Sequence, residues 1–255
     1  MVKRFVDADN FHISSMLVKT RAIVFRKLKY GDSGLIVDLY TEELGLRSYL
    51  VQGVRKPGDK GRAALFQLSS LLDIVAYQQE GKSLQRVKEF QLSSPYQTLL
   101  FDVVKSTTAL FLIDISRKVI KEKESNPYLF NFLSDWFLFL DKPENKATQV
   151  PWVFILQLSS FIGFEPNGQY SEETPYFDLQ EGCFCENSPR HAFYLEPAQA
   201  RWISEALHAT KEDICQWTVP KVMRKDLLEK LLLYYQLHVE DFKGLQSADI
   251  ISAIL

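Results

Sequence analysis

The stretch TRAIVFRKLKYGDSGLIVDLYTEELGLRSYLVQGV, Thr20–Val54, predicts three consecutive β-strands joined by two glycine-containing turns. Thr20–Lys29 is rich in β-branched residues, and Leu35–Tyr40 places every second apolar side chain on one face. Arg47–Val54 is a third segment of the same kind, and Gly31–Gly34 has the composition of a tight turn. Short strands this close together indicate an antiparallel sheet or a small barrel.

Alternation along the first strand predicts which of its side chains are buried in that barrel. Ala22, Val24 and Leu28 share one face, which Arg26 interrupts. Since side chains of a strand alternate between its two faces, we expect the three apolar residues to point inward together.

Two further strands complete the predicted barrel. Ser70–Gln78 and Leu84–Leu92 alternate in the same way, with a hairpin turn at Gln79–Lys82 between them. The third and fourth strands are joined by a longer loop, RKPGDKGRAA, Arg55–Ala64. Five short strands in this arrangement favour an OB-fold, a barrel that often binds single-stranded nucleic acid.

After Pro95 the apolar period changes from two to about 3.6, which predicts helices. The predicted helices are Leu99–Lys121, Tyr128–Leu140, Pro151–Ile162, Pro197–Ala209, Arg224–Val239 and a short last one capped by Ser247. The sequence therefore predicts an α+β chain, with a five-stranded OB-fold β-barrel followed by an α-helical domain.

The predicted domain boundaries follow from these changes of pattern. The barrel occupies 16–95, and the helical domain occupies 96–255 with a small, irregular, zinc-finger-like insertion at about 170–196. Residues 1–15 show no pattern, so Met16 is the expected natural start and 1–15 a disordered extension or a cloning remnant.

Composition and motifs exclude several classes of protein. The 255 residues are 46% hydrophobic and 24% charged, as in ordinary globular proteins, and three cysteines are too few for a disulfide framework. The apolar segments 99–120 and 128–140 carry charges or are too short to span a membrane, which takes about 20 apolar residues. No nucleotide-binding or hydrolase motif occurs, so we expect no enzyme activity. The few cysteines and the absence of a visible secretory signal favour a reducing, cytoplasmic location.

Charge is distributed unevenly along the chain. Residues 1–95 hold 15 Lys and Arg against 10 Asp and Glu, whereas residues 96–255 hold 15 against 22. A basic barrel favours contact with a polyanion, while random surface scatter is the alternative interpretation.

The basic residues of the barrel are the candidate phosphate contacts, because phosphate binding needs cations along a groove with glycines beside them. These candidates are Arg26, Lys27, Lys29, Arg47, Arg55, Lys56, Lys60, Arg62, Arg86 and Lys88. Tyr30, Tyr40 and Tyr49 either offer faces for base stacking or belong to the core.

The order of three short motifs resembles the opening of the RecO family of bacterial recombination mediators. The motifs are T-x-A-I-V in the first strand, T-E-x-x-G at Thr41, Glu42 and Gly45, and G-V-R-K at Gly53–Lys56. The resemblance continues through LFQLSSLLDIVAY and, more loosely, to LLLYYQLHVEDF near the C-terminus. It covers most of the chain from Met16 onward.

The resemblance implies a protein that binds single- and double-stranded DNA and anneals complementary strands. Such a protein helps load RecA onto DNA coated with single-stranded DNA-binding protein (SSB), together with RecR and in some bacteria RecF, without a nucleotide cofactor. It also implies a site for the acidic, apolar C-terminal tail of SSB on the helical domain. Two cationic groups are candidates for that site: Arg117, Lys118 and Lys121, or Lys221, Arg224 and Lys225, with ordinary surface charge as the alternative for each.

Some members of the family carry a zinc site with two C-x-x-C pairs, and GCFCENSPRH, Gly182–His191, lies in the corresponding insertion. Here only Cys183, Cys185 and His191 lie close together, and a structural zinc ion needs four ligands. Asp178, Glu181 or Glu186 would be needed to complete a site, so we expect no zinc.

A metal-free hairpin is the preferred interpretation of the insertion. YFDLQ would pair with the return strand HAFYL around a turn at Glu181-Gly182. An apolar cluster would take the place of metal, formed by Phe177, Leu179, Phe184, Phe193 and Leu195.

Two functions follow from the sequence. The first is a DNA-binding, strand-annealing recombination mediator. The alternative is a non-enzymatic adaptor whose barrel binds a partner protein rather than DNA.

Overall fold

The barrel is built from five strands. The structure, a computed structural model, describes residues 16–55, 61–216 and 218–254, without the side chains of 215 and 216. The strands are β1 Met16–Tyr30, β2 Gly34–Thr41, β3 Gly45–Val51, β4 Leu71–Gln78 and β5 Leu84–Leu92, with a 3₁₀ helix at Arg62–Phe66 before β4. All five predicted strands are confirmed. Residues 1–15, Lys56 and Lys60 lie outside the described residues.

Pairing of the strands closes the barrel. β1 is antiparallel to both β2 and β4, β3 is parallel to β5, and the order around the barrel is β1-β2-β3-β5-β4. This five-stranded arrangement is the predicted OB-fold. The long β1 pairs with β2 through its C-terminal half and with β4 through its N-terminal half.

The two faces of β1 serve two different cores. Ala22 and Val24 point into the barrel, whereas Ile23 and Phe25 pack outward against the helices. All four side chains are fully buried, so the barrel and the helical domain share this strand. Burial of apolar surface on both faces stabilises the barrel and its junction with the helices together.

A β-bulge corrects the prediction for Leu28. The register of β1 against β2 shifts between Val24 and Arg26, so Phe25 is the extra residue of a bulge. Beyond the bulge the alternation is displaced by one residue, and Leu28 is 44% exposed instead of joining Ala22 and Val24 inside. Arg26 and Leu28 therefore lie on the outer face of the barrel.

The helical domain contains seven helices among the described residues: α1 Val103–Val119, α2 Pro127–Asp141, α3 Val150–Phe161, α4 Pro197–Leu207, α5 Lys211–Gln216, α6 Lys221–His238 and α7 Ala248–Ile254. Six of them confirm the prediction. The short α5 was missed because six residues are too few to show a helical period. The predicted start of α1 at Leu99 was wrong, since Asp102 caps the helix by accepting the N–H of Lys105.

One apolar core joins the helices. Trp136 of α2 and Trp152 of α3 are buried in it, and the Tyr235 hydroxyl of α6 donates to the Ile155 carbonyl at 2.7 Å. Among the described helices none is long and apolar enough to cross a membrane.

The insertion forms a three-stranded sheet rather than the predicted two-stranded hairpin. Its strands are β6 Tyr176–Asp178, β7 Cys183–Cys185 and β8 Tyr194–Leu195, with β6 in the centre. The prediction missed β7 because the C-x-C segment is only three residues long. We call residues 176–195 the knuckle.

Packing in the knuckle follows the predicted cluster with one exception. Phe177, Leu179 and Leu195 are buried and Phe184 packs beside them, but Phe193 is largely exposed. Phe177 also contacts Tyr234 of α6, with ring centroids 5.8 Å apart, so the knuckle is held against the helical core.

Candidate nucleic-acid interface and the contacts that position it

A groove beside the β1–β2 turn combines an aromatic ring, glycines and a cation. We call it the turn groove; its volume is about 580 Å³ and it is lined by Tyr30, Gly31, Asp32, Ser33, Gly34, Leu50, Gln52, Gly53 and Arg62. Gly31 has a φ of +53°, which the turn requires and which glycine adopts without strain. This size suits a nucleotide-sized group.

Arg55 fixes the shape of the turn. Its guanidinium donates to the carbonyls of Gly31 and Gly34 at 3.2 and 3.4 Å, and its backbone N–H donates to Ser33 at 3.1 Å. Arg55 therefore holds the β1–β2 turn and adds positive charge next to the groove.

Arg62 also lines the turn groove, and its guanidinium lies 4.8 Å from the centre of the Phe90 ring. A cation over an aromatic face is held in place without losing its charge. The candidates Lys56 and Lys60 belong to the connection between Arg55 and Arg62 and lie outside the described residues.

The other barrel cations lie in different settings. Lys29 is exposed, and Lys27 is half-buried with its Nζ 3.5 Å from Gln67, where burial lowers the pKa of its amine. Arg86 lines a second, smaller groove with Lys82 on the β4–β5 side. Arg26 pairs with Asp38 at 3.4 Å and Lys88 with Glu89 at 3.3 Å, which partly neutralises both.

The three barrel tyrosines separate into two groups. Tyr40 and Tyr49 are fully buried, and burial raises the pKa of Tyr49 to about 12. Both therefore belong to the core, the alternative that the sequence left open. Tyr30 is 52% exposed at the end of β1 and lines the turn groove.

The T-E-x-x-G motif forms the β2–β3 turn, Thr41–Gly45, which we call the docking turn. Gly45 has a φ of +64°, and a Cβ at this position would lie 2.4 Å from the Glu124 carbonyl oxygen. Leu46 donates to the Glu122 carbonyl at 2.9 Å, and the Ser125 hydroxyl donates to the Glu42 carbonyl at 2.8 Å. The motif therefore joins the barrel to the segment between α1 and α2.

Two arginines reinforce the docking turn. Arg47 donates to the carbonyls of Leu44 and Lys123 at 3.1 and 3.0 Å, so this predicted DNA contact is engaged between the domains. Arg21 donates to both carboxylate oxygens of Glu42, and to Asn131 of α2 at 2.7 Å. The hydrogen bonds from Arg21 lower the pKa of Glu42.

The linker between the domains is anchored by Asp141 at the end of α2. Its carboxylate accepts the backbone N–H groups of Gln97, Thr98 and Leu99, with distances of 2.9 to 3.0 Å. Burial alone would raise the pKa of Asp141, but these N–H groups and the Lys105 cation lower it below its usual value. No local pattern in the sequence predicts this contact, because the partners are more than 40 residues apart.

On the helical domain, one of the two proposed cationic groups lies beside an apolar groove. This groove, which we call the apolar groove, is lined by Leu68, Thr107, Leu110, Ile113, Asp114, Arg117, Gln246, Ser247 and Ile250. Asp114 is engaged, since it accepts the N–H and hydroxyl of Ser247. Lys118 lies in the last turn of α1 and is half-buried, and Lys121 follows just beyond the helix and is exposed.

The second cationic group lies at the start of α6. Lys221 and Lys225 are exposed, Arg224 donates to the Val219 carbonyl at 2.9 Å, and Lys225 lies 3.8 Å from Glu229. Val222 between them is 91% exposed. The structure thus separates the two groups and gives only Arg117 a place in the apolar groove.

In the knuckle, the zinc-ligand candidate His191 makes hydrogen bonds within the protein through both ring nitrogens. His191 Nε2 lies 3.2 Å from Asp178 Oδ2, and His191 Nδ1 accepts the Phe193 N–H at 3.2 Å. Because Nδ1 is an acceptor, Nε2 carries the hydrogen and donates a hydrogen bond to the Asp178 carboxylate. Both nitrogens are thereby engaged, and the described residues hold no cluster of three or more potential metal ligands.

Comparison with known proteins places the chain in a family. Residues 16–96 match the family described as Recombination protein O N terminal, and residues 100–246 match Recombination protein O C terminal. DNA repair protein RecO of Phocaeicola vulgatus is 32% identical over 239 residues, and that of Christiangramia forsetii is 33% identical over 240. Each alignment covers 94% of this chain and 99% of the relative. The chain therefore belongs to the RecO family of DNA repair proteins.

Proposed function

We propose that this chain is a recombination mediator that binds single- and double-stranded DNA through its barrel and anneals complementary strands. With RecR, and with RecF where it is needed, it would help load RecA onto SSB-coated single strands, in the cytoplasm at the nucleoid. The observation that supports this most is the turn groove, which places Tyr30, three glycines and Arg62 together on an OB-fold.

Annealing by binding alone has a direct physical basis. Two DNA strands repel each other because each carries one charge per nucleotide, and cations that neutralise phosphates on both strands lower that repulsion. The barrel supplies such cations at Arg55 and Arg62 beside the turn groove and at Arg86 and Lys82 in the second groove. No bond is made or broken, so we propose that the protein acts without catalysis.

The apolar groove supports binding of the SSB tail at Arg117 rather than at the start of α6. An acidic, apolar peptide needs an apolar surface for its side chains and a cation for its carboxylates. Leu110 and Ile250 are 46% and 59% exposed in this groove, and Arg117 lines it with them. At the start of α6, Arg224 is instead bonded to Val219 within its own segment.

Charge reversal at the turn groove tests the proposal. A variant carrying Glu at Arg55, Lys56, Lys60 and Arg62 should bind fluorescent single-stranded DNA at least tenfold more weakly at low salt. Its affinity should also depend less steeply on salt, since each lost phosphate contact reduces the slope by about 0.7. Unchanged affinity would contradict the proposal, and binding of a partner protein without any DNA binding would favour the adaptor.

The knuckle carries a separate proposal, namely that it keeps its shape without zinc. The bridge from Asp178 through His191 to the Phe193 backbone links β6 to the segment before β8, as a shared metal ligand would. Cys185 instead lies 3.4 Å from the Asn187 carbonyl oxygen, within reach of a weak S–H donation. Elemental analysis of the purified protein tests this proposal.

A further inference from the structure

We propose that Tyr30 stacks on an unpaired base and makes the turn groove selective for single strands over duplex DNA. This inference deepens the proposed function and rests on it. It assigns different tasks to two residues that line one groove, with the base at Tyr30 and the phosphate at Arg62.

The position of the Tyr30 ring is set by the backbone. Tyr30 pairs with Gly34 across the β1–β2 turn, and a Cβ on Gly34 would lie 2.9 Å from the Tyr30 carbonyl and 3.7 Å from its ring atom Cδ1. The ring therefore lies along a strip of backbone that carries no side chain. Arg55 holds this turn from behind through the carbonyls of Gly31 and Gly34.

The charges of the groove favour this division. Asp32 lines the turn, and its carboxylate would repel a phosphate placed there. A neutral base is not repelled, so the surroundings of Tyr30 and Asp32 suit a base, whereas the Arg62 cation suits a phosphate. Three glycines, Gly31, Gly34 and Gly53, also line the groove, and without side chains they allow a sugar to approach the backbone closely.

Single strands gain from this arrangement more than duplexes do. The faces of a base in a duplex are covered by its neighbours, so a ring reaches them only if the base is extruded from the stack. In a single strand the faces are accessible, and stacking on one aromatic side chain corresponds to about 5- to 150-fold in affinity. Duplex DNA would still contact the cations, as the proposed function requires.

The test compares Tyr30→Ala and Tyr30→Phe with wild type by fluorescence anisotropy on oligo(dT) and on a duplex of equal length. Tyr128 is a matched control, because it is 82% exposed on α2 in the helical domain. We expect Tyr30→Ala to lower the affinity for the single strand at least fivefold and the affinity for the duplex less than twofold. Tyr30→Phe and Tyr128→Ala should bind both as wild type does.

A second measurement separates stacking from misfolding. A strand with abasic sites keeps the phosphates and lacks the bases. The affinity of wild type should therefore fall on this strand by about the factor by which Tyr30→Ala lowers the affinity for oligo(dT). Tyr30→Ala should then bind abasic and normal strands with less difference than wild type does. Equal losses of Tyr30→Ala on single strand and duplex, or no loss at all, would overturn the inference. Failure of wild type to bind any DNA would instead refute the proposed function.

Discussion

The two turns that flank β2 have similar composition, but the β2–β3 turn packs against the helical domain and the β1–β2 turn lines a groove. The turn groove and the docking turn each contain a glycine with positive φ and each have an arginine that donates to backbone carbonyls. At the docking turn Arg47 donates to Lys123 of the helical domain, whereas Arg55 donates to Gly31 and Gly34 of the neighbouring turn in the barrel. A glycine and a cation therefore do not by themselves identify a DNA contact.

The neighbouring arginines show the same difference. Arg21 donates hydrogen bonds to Glu42 and Asn131, while Arg62 lies over the Phe90 ring and lines the turn groove. A cation already paired with protein groups has less attraction left for phosphate. We infer that charges at the docking turn maintain the domain junction and charges at the turn groove remain available to DNA.

The largest effect is expected from Gly45→Ala. The new Cβ would meet Glu124 at 2.4 Å in a backbone conformation that alanine rarely adopts, so we expect a loss of at least about 3 kcal/mol in the free energy of unfolding. Thermal unfolding would show this as a fall in Tm of about 6–12 °C.

Gly81→Ala is the matched control for that substitution. Gly81 lies in the β4–β5 turn with a φ of +75°, and no atom of the other described residues lies within 4 Å of an added Cβ. The Gly81→Ala variant should therefore lose only about 1–2 kcal/mol in the free energy of unfolding. Equal losses at the two positions would contradict close docking at Gly45.

The second-largest effect is expected in the linker between the barrel and the helical domain, which Asp141 anchors. Asp141→Ala removes an acceptor of three backbone N–H groups and should cost about 1–3 kcal/mol in the free energy of unfolding. Urea unfolding at pH 7 measures the loss. A loss below about 0.5 kcal/mol would show that the linker holds its position without Asp141.

The same carboxylate predicts a pH dependence. Because the folded pKa of Asp141 is lowered, its contribution is complete above the unfolded pKa of about 3.9 and is lost as the pH falls through the folded value. The stability difference between wild type and Asp141→Asn should therefore shrink as the pH falls from about 5 to 2. A difference that stays constant over this range would exclude the carboxylate as the cause.

The smallest effect is expected in the knuckle, a third turn region held by contacts within the protein. His191→Ala removes one side-chain bridge and should cost about 1 kcal/mol, measured by urea unfolding. EDTA should leave the Tm of wild type unchanged, and elemental analysis should find no bound zinc. One zinc per chain, or a fall in Tm with EDTA, would contradict the metal-free knuckle.

The barrel was predictable because its signals are local. Alternation in Thr20–Val54 and the hairpin turn after β4 predict the strands. The exception is Leu28, whose orientation changes because of the bulge at Phe25, and no local pattern predicts that bulge. The candidate site was less predictable, because the contacts that each cation makes depend on residues far away in the sequence. Arg47 and Arg62 are alike in sequence, but in the folded chain Arg47 donates to Lys123 of the helical domain and Arg62 lines the turn groove. The apolar groove likewise joins Leu68, α1 and α7, which lie far apart in the sequence.

The most direct measurement compares Arg62→Ala with Arg47→Ala in one titration of single-stranded DNA and one thermal unfolding curve. Arg62→Ala should weaken DNA binding about three- to tenfold and lower the Tm by no more than about 3 °C, the loss of one cation–π contact. Arg47→Ala should bind DNA within twofold of wild type and lose more stability, because two carbonyls lose their donor. The reverse result, with DNA affinity lost at Arg47 and retained at Arg62, would contradict the assignment of the two turns.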